Sequence, residues 1–224
     1  MDFAYFSEYF FLILPPTILS IVLTISGSLW INRLYHLEED TRLLSFPGQI
    51  AVRAKFRKPL LFILLLFGIR KAWLVASIPT VFYFIAAIAF LSFVTITDFE
   101  QYVIFDSMLL PFALCGMCYT LHLHLPVTEH LAAGLGGGLL FFLLTLLTKG
   151  AIGGGDIKLI AAMGLWLGIR PLLSVIAYGF IAGGIAAFIL LLTKQKSRHS
   201  YFAYGPYFAL SGLGIMLGWL RALI

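Results

Sequence analysis

Long apolar runs, broken by short polar or glycine-containing stretches, organise this chain from end to end. Crossing a bilayer takes about 20 apolar residues in a helix, fewer where the span is tilted, kinked or sheltered by neighbours. Eight runs qualify as predicted spans: Tyr9 to Ile31, Pro59 to Ile69, Trp73 to Val94, Ser107 to Leu123, His130 to Leu147, Ile157 to Ile169, Leu172 to Thr193 and Tyr204 to Leu220. The second and sixth are short. Pro59 to Ile69 has about half the usual length, so an interfacial or re-entrant segment is its alternative reading.

Composition agrees with that pattern. The 224 residues are 61% hydrophobic and 11% charged, with mean hydropathy +1.01, far from the mix of a soluble globular domain. The expected fold is an all-α integral membrane protein, a polytopic bundle of about eight transmembrane helices forming one membrane domain over residues 1–224. The first run could be mistaken for a cleavable signal peptide. Its start, Met1-Asp2-Phe3-Ala4, lacks a basic region and its apolar part is too long, so it reads as an anchored helix. Pro15 and Pro16 are expected to kink it. Asn32 to Lys58 is the one sizeable polar segment, too short for a core of its own. It reads as a basic cytoplasmic loop attracted to the anionic headgroups of the lipid bilayer, with no aromatic-basic pattern to suggest nucleic acid.

Charge placement orients the bundle, because cytoplasmic loops collect Lys and Arg. With the N-terminus outside, Arg33, Arg42, Arg53, Lys55, Arg57, Lys58, Lys149, Lys158, Lys194, Lys196 and Arg198 fall inside. Arg70, Lys71, Arg170 and Arg221 fall outside, and the imbalance supports this orientation. It places Asp98 and Asp156 on the cytoplasmic side.

Most glycines have a packing explanation. Small residues four apart let membrane helices approach closely, as at Gly134/Gly138, Gly164/Gly168, Gly179/Gly183 and Gly214/Gly218, and a homodimer through such faces is compatible with the pattern. Cys115 and Cys118 form a C-x-x-C inside an apolar span with no second pair, which favours packing over zinc or redox chemistry. His122, His124 and His130 cluster near one turn and read as interfacial residues.

Carboxylates carry the candidate chemistry. Asp98 closes a long apolar run, and Asp156 follows Gly153-Gly154-Gly155 at the mouth of another. Acids at the edge of hydrocarbon are costly and mark function. Two carboxylates within a few ångströms cannot both ionise easily, so the pair shares a proton and supplies one general base and one general acid, as in aspartic proteases. The glycine run sits in an expected loop, where Gly155 would let a substrate backbone approach Asp156. It is not a phosphate loop, because Lys-Ser/Thr is missing and Asp156 would repel phosphate. Asp106, eight residues after Asp98, is expected to cap the next helix. Lys158 is near enough to favour an ionised Asp156, although snorkelling to headgroups is its ordinary role.

Four segments together resemble the type IV prepilin peptidases, within the wider group of GxGD intramembrane aspartyl proteases. Gly153-Gly154-Gly155-Asp156-Ile157-Lys158-Leu159 is similar to the glycine-aspartate signature, and Thr97-Asp98 with Asp106 to the first aspartate motif. Gly27-Ser28-Leu29 with Asn32 and Arg33 resembles the stretch ending the family's first helix, and Tyr204-Gly205-Pro206-Tyr207-Phe208-Ala209 the motif opening its last. The resemblance implies that Asp98 and Asp156 are a catalytic pair, with Gly153, Gly155, Asp106 and Lys158 supporting substrate or motif. It implies an inner-membrane endopeptidase of bacteria that removes the basic leader from type IV prepilins or type II secretion pseudopilins at the cytoplasmic face. In many such enzymes the new N-terminus is then methylated from S-adenosylmethionine.

The chain departs from the family pattern in three places. Asn32 to Lys58 has none of the cysteines that often bind zinc, so no zinc is expected. Phe105 replaces a proline usually found before the second aspartate of the first motif, and Arg57-Lys58-Pro59 stands where acidic residues are expected. A trimmed, basic loop leaves methyl transfer open. A silent relative that binds prepilins without cutting them, and an ion-coupled transporter using the same carboxylates, are the competing readings. The transporter would carry inverted repeats, and none is visible.

Overall fold

The computed structural model describes residues 3–39, 43–150, 152–193 and 202–218, all helix or connection, with no strand among them. Arg42, Lys194, Lys196, Arg198 and Arg221 of the charge count, and the last two residues of the eighth expected span, lie outside the described residues. The helices are α1 (Phe3–Glu39), the single turn α2 (Ile50–Arg53), α3 (Arg57–Val75), α4 (Ile78–Gln101), α5 (Asp106–His122), α6 (Val127–Leu147), α7 (Gly154–Leu167), α8 (Ile169–Leu192) and α9 (Gly205–Met216). All eight apolar runs became helices. Four contain a segment long and apolar enough to cross a membrane, Leu12–Leu37, Pro79–Gln101, Val127–Leu147 and Ile169–Leu192.

These four long helices alternate with four shorter ones. Side-chain registers fix the directions. Tyr35 meets Glu100 while Gly27 meets Phe93, so α1 and α4 are parallel. Arg57 meets Glu100 while Gly68 meets Ile88, so α3 and α4 are antiparallel. Likewise Gly205 meets Asp98 and Gly179 meets Phe208, setting α9 against both α4 and α8. The long α1, α4, α6 and α8 therefore run toward one end of the bundle, and α3, α5, α7 and α9 start there. Asp98 and Asp156 lie at that end.

α4 is the central helix. It packs against α3, α5 and α9 and touches α1. Of its apolar window 67% is buried, against 22% to 28% in the other three long spans. The buried Thr95 and Thr97 hydroxyls bond back to their own helix, Thr95 Oγ1 donating to the Leu91 carbonyl at 2.7 Å, whereas Ser92 Oγ is buried without a partner among the described residues. The glycine spacing serves contacts within the chain. A Cβ on Gly164 would overlap the Gly134 backbone, one on Gly179 would overlap Phe208, and one on Gly183 would lie 2.8 Å from Tyr204. These are the small-residue approaches that pack membrane helices.

Two expectations about elements need correction. The polar segment is not a loop from Asn32. α1 continues to Glu39 because Ile31, Leu34 and Tyr35 present a buried stripe at helical spacing. Lys58 likewise already belongs to α3, and the described part of the connection, residues 43–56, contains single helical turns at 47–49, 50–53 and 54–56. The second apolar run lies inside a longer helix, the 19-residue α3, which is not among the four helices long and apolar enough to cross a membrane. The glycine run before Asp156 is not a loop of special backbone. Gly153 caps α7 with φ −71°, Gly154 and Gly155 are its first residues, and none of the three has positive φ.

Candidate functional site

Asp98 sits in the last turn of α4 and is 6% exposed. The helix stops there because Tyr102 adopts a left-handed conformation, φ 55°, and donates its N–H to the Asp98 carbonyl at 3.0 Å. Residues 103–105 then lead extended to α5. Asp156 is the third residue of α7, its N–H bonded to the Gly153 carbonyl at 3.1 Å. One carboxylate thus stands at a helix C-terminus and the other at a helix N-terminus. Both lie at the same end of the bundle, with Ile104 packed against the glycines Gly155 and Gly205 at the starts of α7 and α9.

Ile104 touches the starts of both α7 and α9, and Gly205 lies against Asp98. A Cβ on Gly205 would lie 2.6 Å from Asp98 Oδ2 and 3.0 Å from Ile104 Cδ1. A Cβ on Gly155 would lie 2.9 Å from Ile104 Cβ. So the opening turns of α7 and α9 both press on the connector after α4, and a Cβ at either position would displace Ile104 or the Asp98 carboxylate. Gly155 therefore admits Ile104; the expectation that its bareness admits substrate is corrected. Gly153 and Gly154 are exposed, with nothing near a Cβ built on Gly154, and they leave that flank of Asp156 open.

Asp98 Oδ2 and Asp156 Oδ1 are buried without a hydrogen-bond partner among the described residues. Buried polar atoms are ordinarily satisfied, and exceptions concentrate where chemistry occurs. Oxygens of this kind, on two acids at one end of a bundle, can share a proton and hold a water between base and acid.

Asp106 and Lys158 stand apart from that chemistry. Phe105, not Asp106, is the N-cap of α5, and no side chain caps it. Asp106 instead receives Lys158 Nζ at 2.7 Å on both carboxylate oxygens, joining the starts of α5 and α7. Lys158 therefore neither snorkels free nor bonds Asp156. Phe105, in place of the family's proline, is buried and packs its ring 5.9 Å from that of Tyr35.

Other sequence candidates take ordinary places. Cys115 and Cys118 are free thiols on α5. His130 is buried at the far end, where its Nδ1 lies 3.0 Å from the Leu165 carbonyl and 3.1 Å from Thr120 Oγ1. Among the described residues, no three His, Cys, Asp or Glu side chains form a group that could hold a metal.

Sequence reasoning missed one constellation at the aspartate end. Arg57 and Glu100 form a buried ion pair, Nη2 to Oε2 2.6 Å, two residues along from Asp98. The signal was present: an acid that close to hydrocarbon needs a cation, and Arg57 opens the preceding helix.

Two acids converging at one end of a helical membrane bundle define a candidate membrane-embedded acid-base site. Residues 85–188, which contain Asp98, Asp106 and Asp156, match the model of the type IV leader peptidase family. It is 35% identical over 130 residues to a prepilin leader peptidase/N-methyltransferase of Neisseria gonorrhoeae, covering 55% of this chain and 44% of that protein. The enzyme of the same name from Aeromonas salmonicida is 30% identical over 124 residues, 53% of this chain and 43% of that one. That from Legionella pneumophila is 40% identical over 74 residues, 33% and 25% of the two chains. The matches thus span less than half the length of these relatives. No solved structure matches the chain.

Proposed function

We propose that this protein is a membrane-embedded aspartyl endopeptidase that removes the basic leader of type IV prepilins or pseudopilins at the cytoplasmic face of the bacterial inner membrane. The observation that carries the reading is the convergence of Asp98 and Asp156, each with a buried oxygen that no described residue satisfies. The helix ends assign their roles. The partial negative charge at the C-terminus of α4 disfavours charge on Asp98, and the partial positive charge at the N-terminus of α7 favours it on Asp156. The shared proton therefore rests on Asp98. Asp156, as general base, activates a water for attack on the scissile carbonyl. Asp98, as general acid, protonates the leaving amine.

Substrate enters from the membrane as a helix whose leader stays in the cytoplasm, and its extended scissile segment passes along the open Gly153-Gly154 flank of Asp156. The proteolytic step uses these two acids and requires no metal. An N-methyltransferase activity is part of the names of the relatives, and S-adenosylmethionine is the methyl donor that the resemblance implies. It has no assigned residues in this chain.

The test is cleavage of a prepilin and pseudopilin panel by the purified protein in liposomes, read by mass spectrometry. Asp98→Asn and Asp156→Asn keep shape and remove acid-base function, so each is expected to lower the rate by about 10²- to 10⁴-fold, the usual worth of a general acid or base. A product heavier by one methyl group would reveal the second activity in the same spectra. Full cleavage by either variant, or none by the folded wild-type protein on any substrate, would sink the reading.

A further inference from the structure

The four residues that follow Asp98 are all held by the connection between α1 and α3. Arg53 Nη2 donates to the Phe99 carbonyl at 3.4 Å. Arg57 meets Glu100 through Nε, 2.9 and 3.0 Å from its two oxygens, and through Nη2 at 2.6 Å. Gln101 is bound twice by Phe46: the Phe46 N–H donates to Gln101 Oε1 at 2.9 Å, and Gln101 Nε2 donates back to the Phe46 carbonyl at 3.2 Å. Ser45 N–H reaches the Gln101 carbonyl at 3.4 Å. The Arg53 guanidinium lies 4.0 Å from the Phe46 ring centre and 5.5 Å from that of Tyr102.

Arg57 is the centre of this clamp. Its side chain is 2% exposed and that of Glu100 3%. Beyond Glu100 it donates through Nη1 to Asn32 Oδ1 and to the Ser28 carbonyl, so one guanidinium ties α1, α3 and α4 together. The Tyr35 hydroxyl completes the shell by donating to Glu100 Oε2 at 3.0 Å. A planar fork with several donors can serve three helices at once, which a lysine ammonium cannot reproduce.

Such a clamp answers a particular difficulty. Asp98 lies in the final turn of α4, and final helical turns fray. A catalytic carboxylate must keep its position to a fraction of an ångström. Buried ion pairs add little net stability compared with apolar packing, so a pair placed here has geometry to maintain. Neither Arg57 nor residues 45–56 fall within the stretch that matches the family model.

We propose that Arg57, through Glu100, is a positioning residue that holds the Asp98 turn in register with Asp156, with residues 45–57 acting as a strap across the end of α4. The proposal rests on the aspartyl peptidase reading for its catalytic consequence, while the ordering of the turn is independent of it.

The test uses the full chain in liposomes. Arg57→Met alone would strand a buried carboxylate, so the informative variant is Arg57→Met with Glu100→Gln, which leaves no orphan charge and keeps an acceptor for Tyr35. This double variant is expected to fold, and to lose about 10²-fold in kcat with KM nearly unchanged, the signature of a misplaced catalytic group. Arg57→Lys should fall between it and wild type. Exposed Lys58→Ala, outside the strap, should match wild type. Hydrogen exchange supplies a readout that does not depend on cleavage. The Tyr102 amide, bonded to the Asp98 carbonyl, should exchange about tenfold faster in the double variant as the turn opens locally. A folded double variant with wild-type kcat, or with wild-type Tyr102 exchange, overturns the proposal. If the wild-type chain cleaves no substrate, the peptidase reading has failed and the exchange result alone decides the strap.

Discussion

At Gly205 the addition of one methyl group would bring carbon to 2.6 Å from Asp98 Oδ2. Backbone cannot yield there without moving the start of α9, so the carboxylate must turn. Gly205→Ala is therefore expected to fold but to lose about 10²-fold in kcat/KM, a loss typical of small misplacements at a reacting group. A rate within error of wild type would show that the contact is slack. Gly155 offers a different residue-scale test. Its alanine variant sets Cβ against Ile104 Cβ at 2.9 Å and is expected to cost about 1–3 kcal/mol of stability, as overpacking does. Because the clash is with Ile104, adding Ile104→Gly should recover part of the melting temperature. Had the glycine served only substrate approach, that second change would recover nothing. The motif's letters were legible in the sequence, but the neighbour filling each glycine was not, because Ile104 lies 51 residues from Gly155 along the chain.

Among the elements, the opening turns of α5 and α7 are joined by a visible ion pair that contributes little. Asp106 and Lys158 have side chains 70% and 57% exposed, and such pairs contribute about 0–1 kcal/mol. A double-mutant cycle with Asp106→Ala and Lys158→Ala, followed by thermal unfolding, should give a coupling energy in that range. The coupling should shrink with added salt. A coupling well above it would mean that the pair is shielded in the membrane-embedded protein. The buried Arg57–Glu100 pair belongs to the other regime, where removing one partner alone strands a charge. Element type was readable throughout, since each apolar run of adequate length became a helix. Element ends were less so. The continuation of α1 past Ile31 depends on a buried stripe whose partner is α3, and no local property of residues 32–39 reveals it.

For the molecule as a whole, antiparallel alternation puts both aspartates at one end and Arg170 at the other, at the start of α8. The charge distribution predicts a sidedness, with the aspartate end inside, that is open to direct measurement. In intact cells, with Cys115 and Cys118 replaced by serine, Arg170→Cys should react with a membrane-impermeant thiol reagent added outside. Lys55→Cys should react only after the membrane is opened. The reverse pattern would turn the bundle over and place the aspartates outside, where a cytoplasmic leader could not reach them.

Hydropathy and charge, which are sums along the chain, already determined the class: a helical membrane bundle whose acids sit at the ends of apolar runs. The aspartate motifs, with Asp98 and Asp156 at helix termini, were also readable, because an unpaired acid beside hydrocarbon is conspicuous in one dimension. What tertiary structure alone decided was which side chains meet. Lys158 took Asp106, Gly155 took Ile104, Gly205 took Asp98, and Arg57 took Glu100. Each of these pairings depends on helix register and direction across dozens of intervening residues. The energies that select them come from close packing and buried hydrogen bonds, which exist only after the helices have assembled.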